Sequence, residues 1–519
     1  MARRAPLLLL PALLAAWLTS AAGPASAQSQ TFCVAVVAGL ELDDLEALED
    51  EAAVGLLVPG AGPRVSETTA RAALERGEVR NWLRGGLPEG PPLIAVETSD
   101  AVPACRPAIV LGLPRDGDRP NTARYPVAVI GEGFHGMLTS SSTRIPGLVS
   151  VADIAPTALG AEDSLGSAPA ADPVAELRSL DARIRHNGDS RGRAAFLAGI
   201  LILGLAAVAP RAALLGFAML LAANLVLGAA AVTSLWAVLL VVGLSVGIGA
   251  PLLSLVVRSQ IAVAAVLALV LGGYLVALGV DGTSVALSPL GPQQSGRFFG
   301  LSNLLSAILL VPALAAPALF LRRAGWAPAI AAGALSLVMI AGGRFGADGG
   351  TAIALVLAYG VLAVELAEAR RRLVVAVAAL AAAGVAALIG LDAATGASSH
   401  LTEAIGGGPS GLAADLRDRL ELAYERATEH WYISLLVVAG ATILALLAAR
   451  LLILDVPRRT RALPLAMAVA TGASLVVNDS PLDVVSVGLV GYVTLQAYAL
   501  GELAPIEGAV ERTYRSVET

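Results

Sequence analysis

Three short polar runs interrupt otherwise apolar sequence: Gly296-Arg297-Phe298-Phe299-Gly300-Leu301-Ser302-Asn303, Gly343-Arg344-Phe345-Gly346-Ala347-Asp348-Gly349-Gly350, and Asn478-Asp479-Ser480-Pro481. Charged and amide side chains at or below lipid headgroups are expensive unless they face protein or water, so Arg297, Asn303, Arg344, Asp348, Asn478, Asp479 and Asp483 need a reason. The chemistry these residue types support is anion handling. Arg297 and Arg344 would grip a phosphate or carboxylate, with Asn303, Asn478 and Ser480 as further substrate-binding groups, and Asp348 or Asp479 would take the catalytic part by orienting the ligand or accepting a proton. Gly343, Gly346, Gly349 and Gly350 would let backbone approach the ligand. The competing reading is structural: arginines and carboxylates pair with one another and pin helix ends.

Membrane helices must bring those residues together. The 519-residue chain is 56% hydrophobic and 15% charged, with a mean hydropathy of +0.75. Soluble chains carry nearer ~25% charge, so most of this one belongs in lipid. From Ala194 onward, apolar runs of roughly 16 to 24 residues match the length that crosses ~30 Å of hydrocarbon. They predict about eleven spans, at 194–209, 212–231, 233–256, 260–280, 298–321, 326–342, 349–367, 373–391, 432–454, 462–477 and 481–500. With the preceding segment exported, odd-numbered spans run inward. Arg211, Arg258, Arg322, Arg323, Arg370, Arg371, Arg372, Arg458, Arg459 and Arg461 then gather on the cytoplasmic side, as the positive-inside bias asks. Each polar run opens a span at the outer face, where three gathered helix N-termini would add unpaired N–H groups and partial positive charge to the pull on an anion. The polytopic region is bounded at 194–503, with a cytoplasmic tail at 504–519. Its one long outer loop, 392–431, is Gly-rich and then amphipathic, with Leu412, Leu416, Leu420 and Tyr424 on one face; it reads as an interfacial helix, a lid or a packed connection.

Residues 1–27 have the layout of a secretory signal: Arg3 and Arg4, a short apolar core from Pro6 to Leu18, and Ala25-Ser26-Ala27 at the cleavage site. Residues 28–172 then have the character of an extracytoplasmic α/β domain. Strands are expected at 32–37, 108–113 and 125–130, and helices at 66–77 and 78–83. Ser66 is placed to cap the first helix, but Thr69 stands where a capping box wants Glu or Gln, so that start is weakly specified. Cys33 and Cys105 are the chain's 2 cysteines. An exported compartment favours a disulfide between them over two buried thiols. Residues 173–193 read as a juxtamembrane linker in which Leu177, Leu180 and Ile184 share one helical face.

The run from Gly136 to Leu159, with Ser140-Ser141-Ser142-Thr143-Arg144 leading to Asp153-Ile154-Ala155-Pro156-Thr157, resembles the late part of an alkaline-phosphatase-superfamily domain. The resemblance covers roughly residues 30–165. Enzymes of that family hold two metal ions with clustered Asp and His side chains and use a Ser or Thr nucleophile. Here Val37-Ala38-Gly39-Leu40 stands where an early Asp would be expected, and before residue 190 only His135 and His186 are available. Such a set cannot easily clamp both oxygens of a phosphoryl transfer, so the expectation is a degenerate domain with no metal and no cofactor. Asp153 is placed to cap the helix whose first turn holds Pro156. The polar runs also resemble those of uncharacterised bacterial multi-pass proteins that carry a phosphatase-like outer domain, which implies an architecture and no reaction.

A formal charge of -6, without a basic cluster interleaved with aromatics, argues against nucleic acid. Every one of the 35 basic Lys or Arg positions is arginine, which with the Ala and Gly richness is the codon signature of a GC-rich bacterial genome. The sequence therefore predicts a membrane α-helical bundle behind an exported, alkaline-phosphatase-like α/β domain, seated in a bacterial plasma membrane. Its expected partners are membrane lipids and an anionic or lipid-linked envelope precursor. Three functions stay open: a transferase acting on that precursor, a transporter or flippase with the outer domain as scaffold, and a non-catalytic envelope-assembly protein. A transferase needs a base within hydrogen-bond reach of a pocket at the outer face, whereas a transporter needs an aqueous path to the midplane.

Overall fold

The structure, a computed structural model, describes residues 32–60, 64–79, 90–115, 117, 119–161, 165–292, 298–366, 417, 420–421, 423–478 and 480–503. The expected signal, the span at 373–391, most of the outer loop, the tail, Arg297 and Asp479 lie outside the described residues.

Strands β1 (Cys33–Val37), β2 (Ala52–Val58), β3 (Arg64–Val65), β4 (Val96–Ser99), β5 (Ala108–Leu111), β6 (Arg119–Pro120), β7 (Tyr125–Ile130), β8 (Gly136–Thr139), β9 (Leu148–Ser150) and β10 (Gly166–Ala168) build the N-terminal domain. Eight form a mixed sheet in the order β10-β8-β2-β7-β5-β1-β4, with β9 also on β2, while β3 and β6 pair separately. β1 runs parallel to β4 and β5. β7 is antiparallel to β2 and β5, which sets Val54 opposite Ala128 and Leu111 opposite Val127. The expected strands are β1, β5 and β7. The central β2, buried at every position, has no counterpart among them. Its Ala-Ala-Val-Gly-Leu-Leu-Val run is poor in β-branched and aromatic residues, and burial on both faces removes the alternation that marks a half-exposed strand.

Helix α1 (Glu67–Arg76) begins as expected at Ser66 and ends at Gly77, whose φ of 65° is left-handed. Its start is better specified than the sequence suggests. Ser66 Oγ accepts the Thr69 N–H (3.2 Å), and Thr69 Oγ1 accepts the Ser66 N–H (3.0 Å), so threonine performs the reciprocal half of a capping box. Glu78 and Val79 are not helical. Helix α2 (Ile154–Ala158) is short.

Residues 173–193, expected as a linker, instead belong to one continuous helix, α3 (Pro173–Val208), that carries the chain from the N-terminal domain into the bundle. Asp172 caps it by accepting the Ala175 N–H, and Pro173 occupies the first turn, where no helical N–H bond is lost. Its apolar stripe of Val174, Leu177 and Ile184 packs on the sheet, in one core with Val54, Leu56, Val110 and Ala128.

The bundle follows with α4 (Pro210–Ala229), α5 (Leu235–Val256), α6 (Gln260–Val280), the short α7 (Gly282–Ala286), α8 (Asn303–Arg323), α9 (Trp326–Ala341), α10 (Gly349–Leu366), α11 (Trp431–Ile453), α12 (Arg458–Val477) and α13 (Pro481–Tyr498). Among the described residues nine helices are long and apolar enough to cross a membrane: α3, α4, α5, α6, α8, α10, α11, α12 and α13. α9, at 16 residues, is shorter. Helix α8 is the hub: 89% of its apolar window is buried, against 17% for α11, whose Leu435, Leu436, Val438 and Leu446 face outward. That contrast fits an all-round apolar helix at a bundle centre and a lipid-facing one at its rim. At the end of the bundle remote from the sheet, Arg461 pairs with Glu365 (2.9 Å), Arg322 donates to the Arg459 carbonyl (3.0 Å), Arg323 donates to Gln260 (2.8 Å) and Arg211 pairs with Glu502.

Cys33 and Cys105 form a disulfide, with Cα atoms 6.6 Å apart across 72 residues of sequence. Closing a loop of that length stabilises a domain by about 4 kcal/mol through the entropy of the unfolded chain. The unreduced protein is expected to take up no alkylating reagent and the reduced, unfolded protein two equivalents, read by intact mass. A Cys33→Ser, Cys105→Ser chain should lose about 2–5 kcal/mol from the N-terminal domain, read by thermal unfolding.

Candidate anion site

All three polar runs meet at the end of the bundle that carries the sheet. Residues 342–348 fold back over the end of α9: Gly346 N–H donates to Met339 O, Ala347 N–H to Gly342 O and Asp348 N–H to Ile340 O, each at 2.9 Å. The first run lies on this turn, with the Leu301 N–H donating to Gly346 O (3.0 Å). At Gly300, φ is 76° and a Cβ would sit 2.3 Å from Gly346 O, so only glycine fits. Asn303 on α8 donates to Ser480 Oγ ahead of α13 (3.1 Å), and Asn478 at the end of α12 donates to Thr351 Oγ1 on α10 (3.4 Å). The glycines thus serve the approach of one run to another.

The capping chemistry accounts for several of these side chains. Asp348 is 7% exposed, and its two carboxylate oxygens accept the Thr351 N–H (2.9 Å) and the Thr351 hydroxyl (2.7 Å), which starts α10. Ser302 accepts the Leu305 N–H (3.0 Å) at the start of α8 and donates to Leu290 O (2.6 Å). Asp483, one turn into α13, pairs with Arg191 of α3 at 3.3 Å.

Residues that the sequence reading does not single out hold the segment between α6 and α8 in place. Buried Asn224 on α4 donates to Tyr274 Oη (3.0 Å) and Ser288 Oγ (2.9 Å), and accepts the Leu290 N–H (3.1 Å). From α3, Arg183 donates to the carbonyls of Leu287 (3.2 Å) and Gly228, and Asn187 donates to Leu287 O (2.6 Å). Ala286, Leu287 and Phe298 of the same segment enter a core with Ile145 and Leu148 of the N-terminal domain. A lone amide inside an apolar span was the signal available for Asn224.

The N-terminal domain reaches the runs through Arg144. Its guanidinium donates to Gly343 O (2.8 Å) and lies 3.9 Å from the centroid of the Phe299 ring. The loop that presents it is built on Asp153, whose Oδ2 accepts from Ser140 Oγ (2.7 Å), Ser142 Oγ (2.8 Å) and the Ser150 N–H (2.7 Å). Asp153 therefore reaches back to the preceding loop instead of capping α2, as the sequence suggested, and α2 has no side-chain cap. Burial pushes the Asp153 carboxyl above its ordinary value of 3.8, against the lowering by these hydrogen bonds.

Arg144 and Arg344 line one cavity of about 140 Å³, together with Ile145, Leu278, Phe298, Phe299 and Phe345. Arg344 is exposed. Compared with family models, with curated proteins and with solved structures, the chain matches none. Of the residues expected to form a site, Asn303, Asp348, Asn478 and Ser480 converge in the motif cluster, and Arg344 stands at the cavity. His135 is an exposed loop residue whose backbone N–H donates to Ser167 Oγ (3.3 Å). Among the described residues no three His, Cys, Asp or Glu side chains gather as metal ligands.

Two outcomes follow. A Cβ at Gly350 would meet Asn478 Oδ1 at 2.5 Å and Val477 O at 3.0 Å. Gly350→Val should therefore force α10 from α12 and lower stability by about 1–3 kcal/mol, read by thermal unfolding in detergent. A carboxyl whose value rises on folding contributes stability that is full below its unfolded value and lost as pH climbs through the folded one. The wild-type N-terminal domain should thus lose stability relative to Asp153→Asn as pH rises from below 3.8, and parallel pH profiles for the two chains would contradict this.

Proposed function

We propose that this chain is a multi-pass protein of a bacterial plasma membrane that binds the anionic headgroup of a lipid or lipid-linked envelope precursor at its outer face. The observation that carries this reading is the placement of Arg344. It makes no hydrogen bond or ion pair with a described side chain and stands exposed on a cavity that also receives Arg144 and three phenylalanine rings. A volume near 140 Å³ is well below the ~300 Å³ of a pocket that swallows a whole small ligand. It suits a headgroup whose tail remains in the bilayer. The sidedness follows from the arginines at the end remote from the sheet, which the positive-inside bias assigns to the cytoplasm, leaving the sheet and the cavity outside.

Binding, presentation or passage of the precursor fits this geometry better than its chemical transformation. No described residue lining the cavity has a carboxylate, imidazole, hydroxyl or thiol, and Asp348 is committed to the start of α10. A transferase needs a base within reach of the reacting atom. On this reading the outer domain is a non-catalytic relative of the alkaline-phosphatase superfamily, and the disulfide suits its exported location.

The test uses the full chain in neutral detergent, titrated with diheptanoyl phosphatidylglycerol and with the matching phosphatidylcholine. Arg344→Ala should weaken binding of the glycerol lipid by about tenfold or more, since a hydrogen bond to a charged group is worth ~1.5–3 kcal/mol, and should leave thermal stability unchanged. Equal affinity for the two lipids in the wild-type chain would sink the proposal.

A further inference from the structure

We infer that the outer domain supplies the second cationic ligand of this site, Arg144, so that the anion is held across the boundary between the sheet domain and the bundle. This rests on the reading of the Arg344 cavity as an anion site. Arg144 comes from the Ser-rich loop between β8 and β9, far in sequence from the runs it touches, yet it lines the same cavity as Arg344. Its backbone sits at φ 56°, a left-handed conformation that arginine rarely adopts. The surrounding loop holds it there. The Arg144 N–H donates to Ser140 O (2.9 Å), Thr143 Oγ1 donates to Leu148 O, and Asp153 gathers Ser140, Ser142 and the Ser150 N–H on one oxygen. A non-glycine residue kept in such a conformation needs its surroundings to over-determine it, and functional loops are where that recurs.

The placement of the guanidinium is equally specific. The guanidinium carbon lies 3.9 Å from the centre of the Phe299 ring and one terminal N–H is committed to Gly343 O, and the two contacts together confine the group. A guanidinium stacked on its face bonds along its edge, in the fork that matches a phosphate or carboxylate. Gly343 immediately precedes Arg344, so the contact that docks the outer domain also sets the distance between the two cations. The ligand class is an oxyanion with at least two acceptor oxygens, a phosphate diester or monoester foremost. Such a ligand would join domain and bundle, which gives the outer domain a binding role.

The experiment titrates full-length Arg144→Gln, Arg144→Gly and Arg344→Ala chains in neutral detergent with diheptanoyl phosphatidylglycerol and, separately, with inorganic phosphate. Arg144→Gln keeps an N–H for Gly343 O and loses the charge, and Arg144→Gly adopts φ 56° without strain, so one of them remains informative if the other fails to fold. Each should bind about tenfold or more weakly than wild type. Loss on the lipid alone places the ligand in the bilayer, loss on both probes places the phosphate group itself in the cavity, and either supports the shared site. If Arg344→Ala weakens binding while both Arg144 variants match wild type, Arg144 is a docking contact only and this inference falls, with the headgroup reading intact. If no variant changes binding, both fall.

Discussion

An irregular backbone at the end of a helix bundle has to find its hydrogen-bond partners in protein, and the architecture of this chain at its sheet-bearing end follows from that requirement. Hydrocarbon offers no donors or acceptors, so non-helical chain at that depth is tolerated only when other protein covers it. Here the covering is mutual. Residues 342–348 use the last carbonyls of α9, the first polar run uses the carbonyl of Gly346, and Asn303, Asn478, Ser480 and Thr351 link the starts and ends of α8, α10, α12 and α13. Glycine at 300 and 350 lets these strands of chain approach as closely as the bonds demand. The hub position of α8 is a consequence, because its start is tied to both other runs.

The same requirement explains why the N-terminal domain is docked and not tethered. The segment between α6 and α8 exposes carbonyls at Leu287 and Gly291, and α3 carries Arg183, Asn187 and Arg191 along one side to meet them. A flexible linker could not present three donors at fixed spacing, whereas a helix continuous from the sheet into the bundle does so by its geometry. Ala286, Leu287 and Phe298 then complete a core with strand residues, so apolar burial reinforces the polar bonds. A rigid junction is what allows a loop of the N-terminal domain to place one guanidinium against Gly343.

Much of this was legible in the sequence, because hydropathy and polar interruption are local signals. The spans, the three runs, the Ser66 start and the strands β1, β5 and β7 all announce themselves over a few residues. β2 did not, since a fully buried strand in which Ala, Gly and Leu outnumber the two valines has no alternation and few β-branched side chains to mark it. The extent of α3 was hidden because its first half is polar enough to look like a linker, and only contact with the sheet and with Leu287 shows that its polar side chains have partners. Arg144 was invisible as a site residue for a different reason: it stands 199 residues from its partner Gly343, a separation no local pattern encodes. Asp153 was noticed at the right place and assigned the wrong partner, because sequence proximity favours a cap on the next helix while the folded loop brings two serine hydroxyls nearer.

Polar residues at the ends of spans invite two explanations, structural pinning and ligand binding, and the geometry divides the residues between them. Asp348, Ser302, Asn303, Asn478 and Ser480 each bond another element of the protein, and their energetics are accounted for by helix starts and inter-helix contacts without a ligand. Arg344 is different. Pinning would have brought it to a carboxylate or to helix-end carbonyls, yet it stands exposed at a cavity whose other polar wall is a second arginine. Like charges that share one small space beside aromatic rings repel one another, and an anion between them would offset that repulsion, which is the physical basis of the proposed site. Capping and docking therefore account for the polar groups of the motif cluster and for the bond from Arg144 to Gly343 O, but not for Arg344, and on that difference the proposal of ligand binding rests.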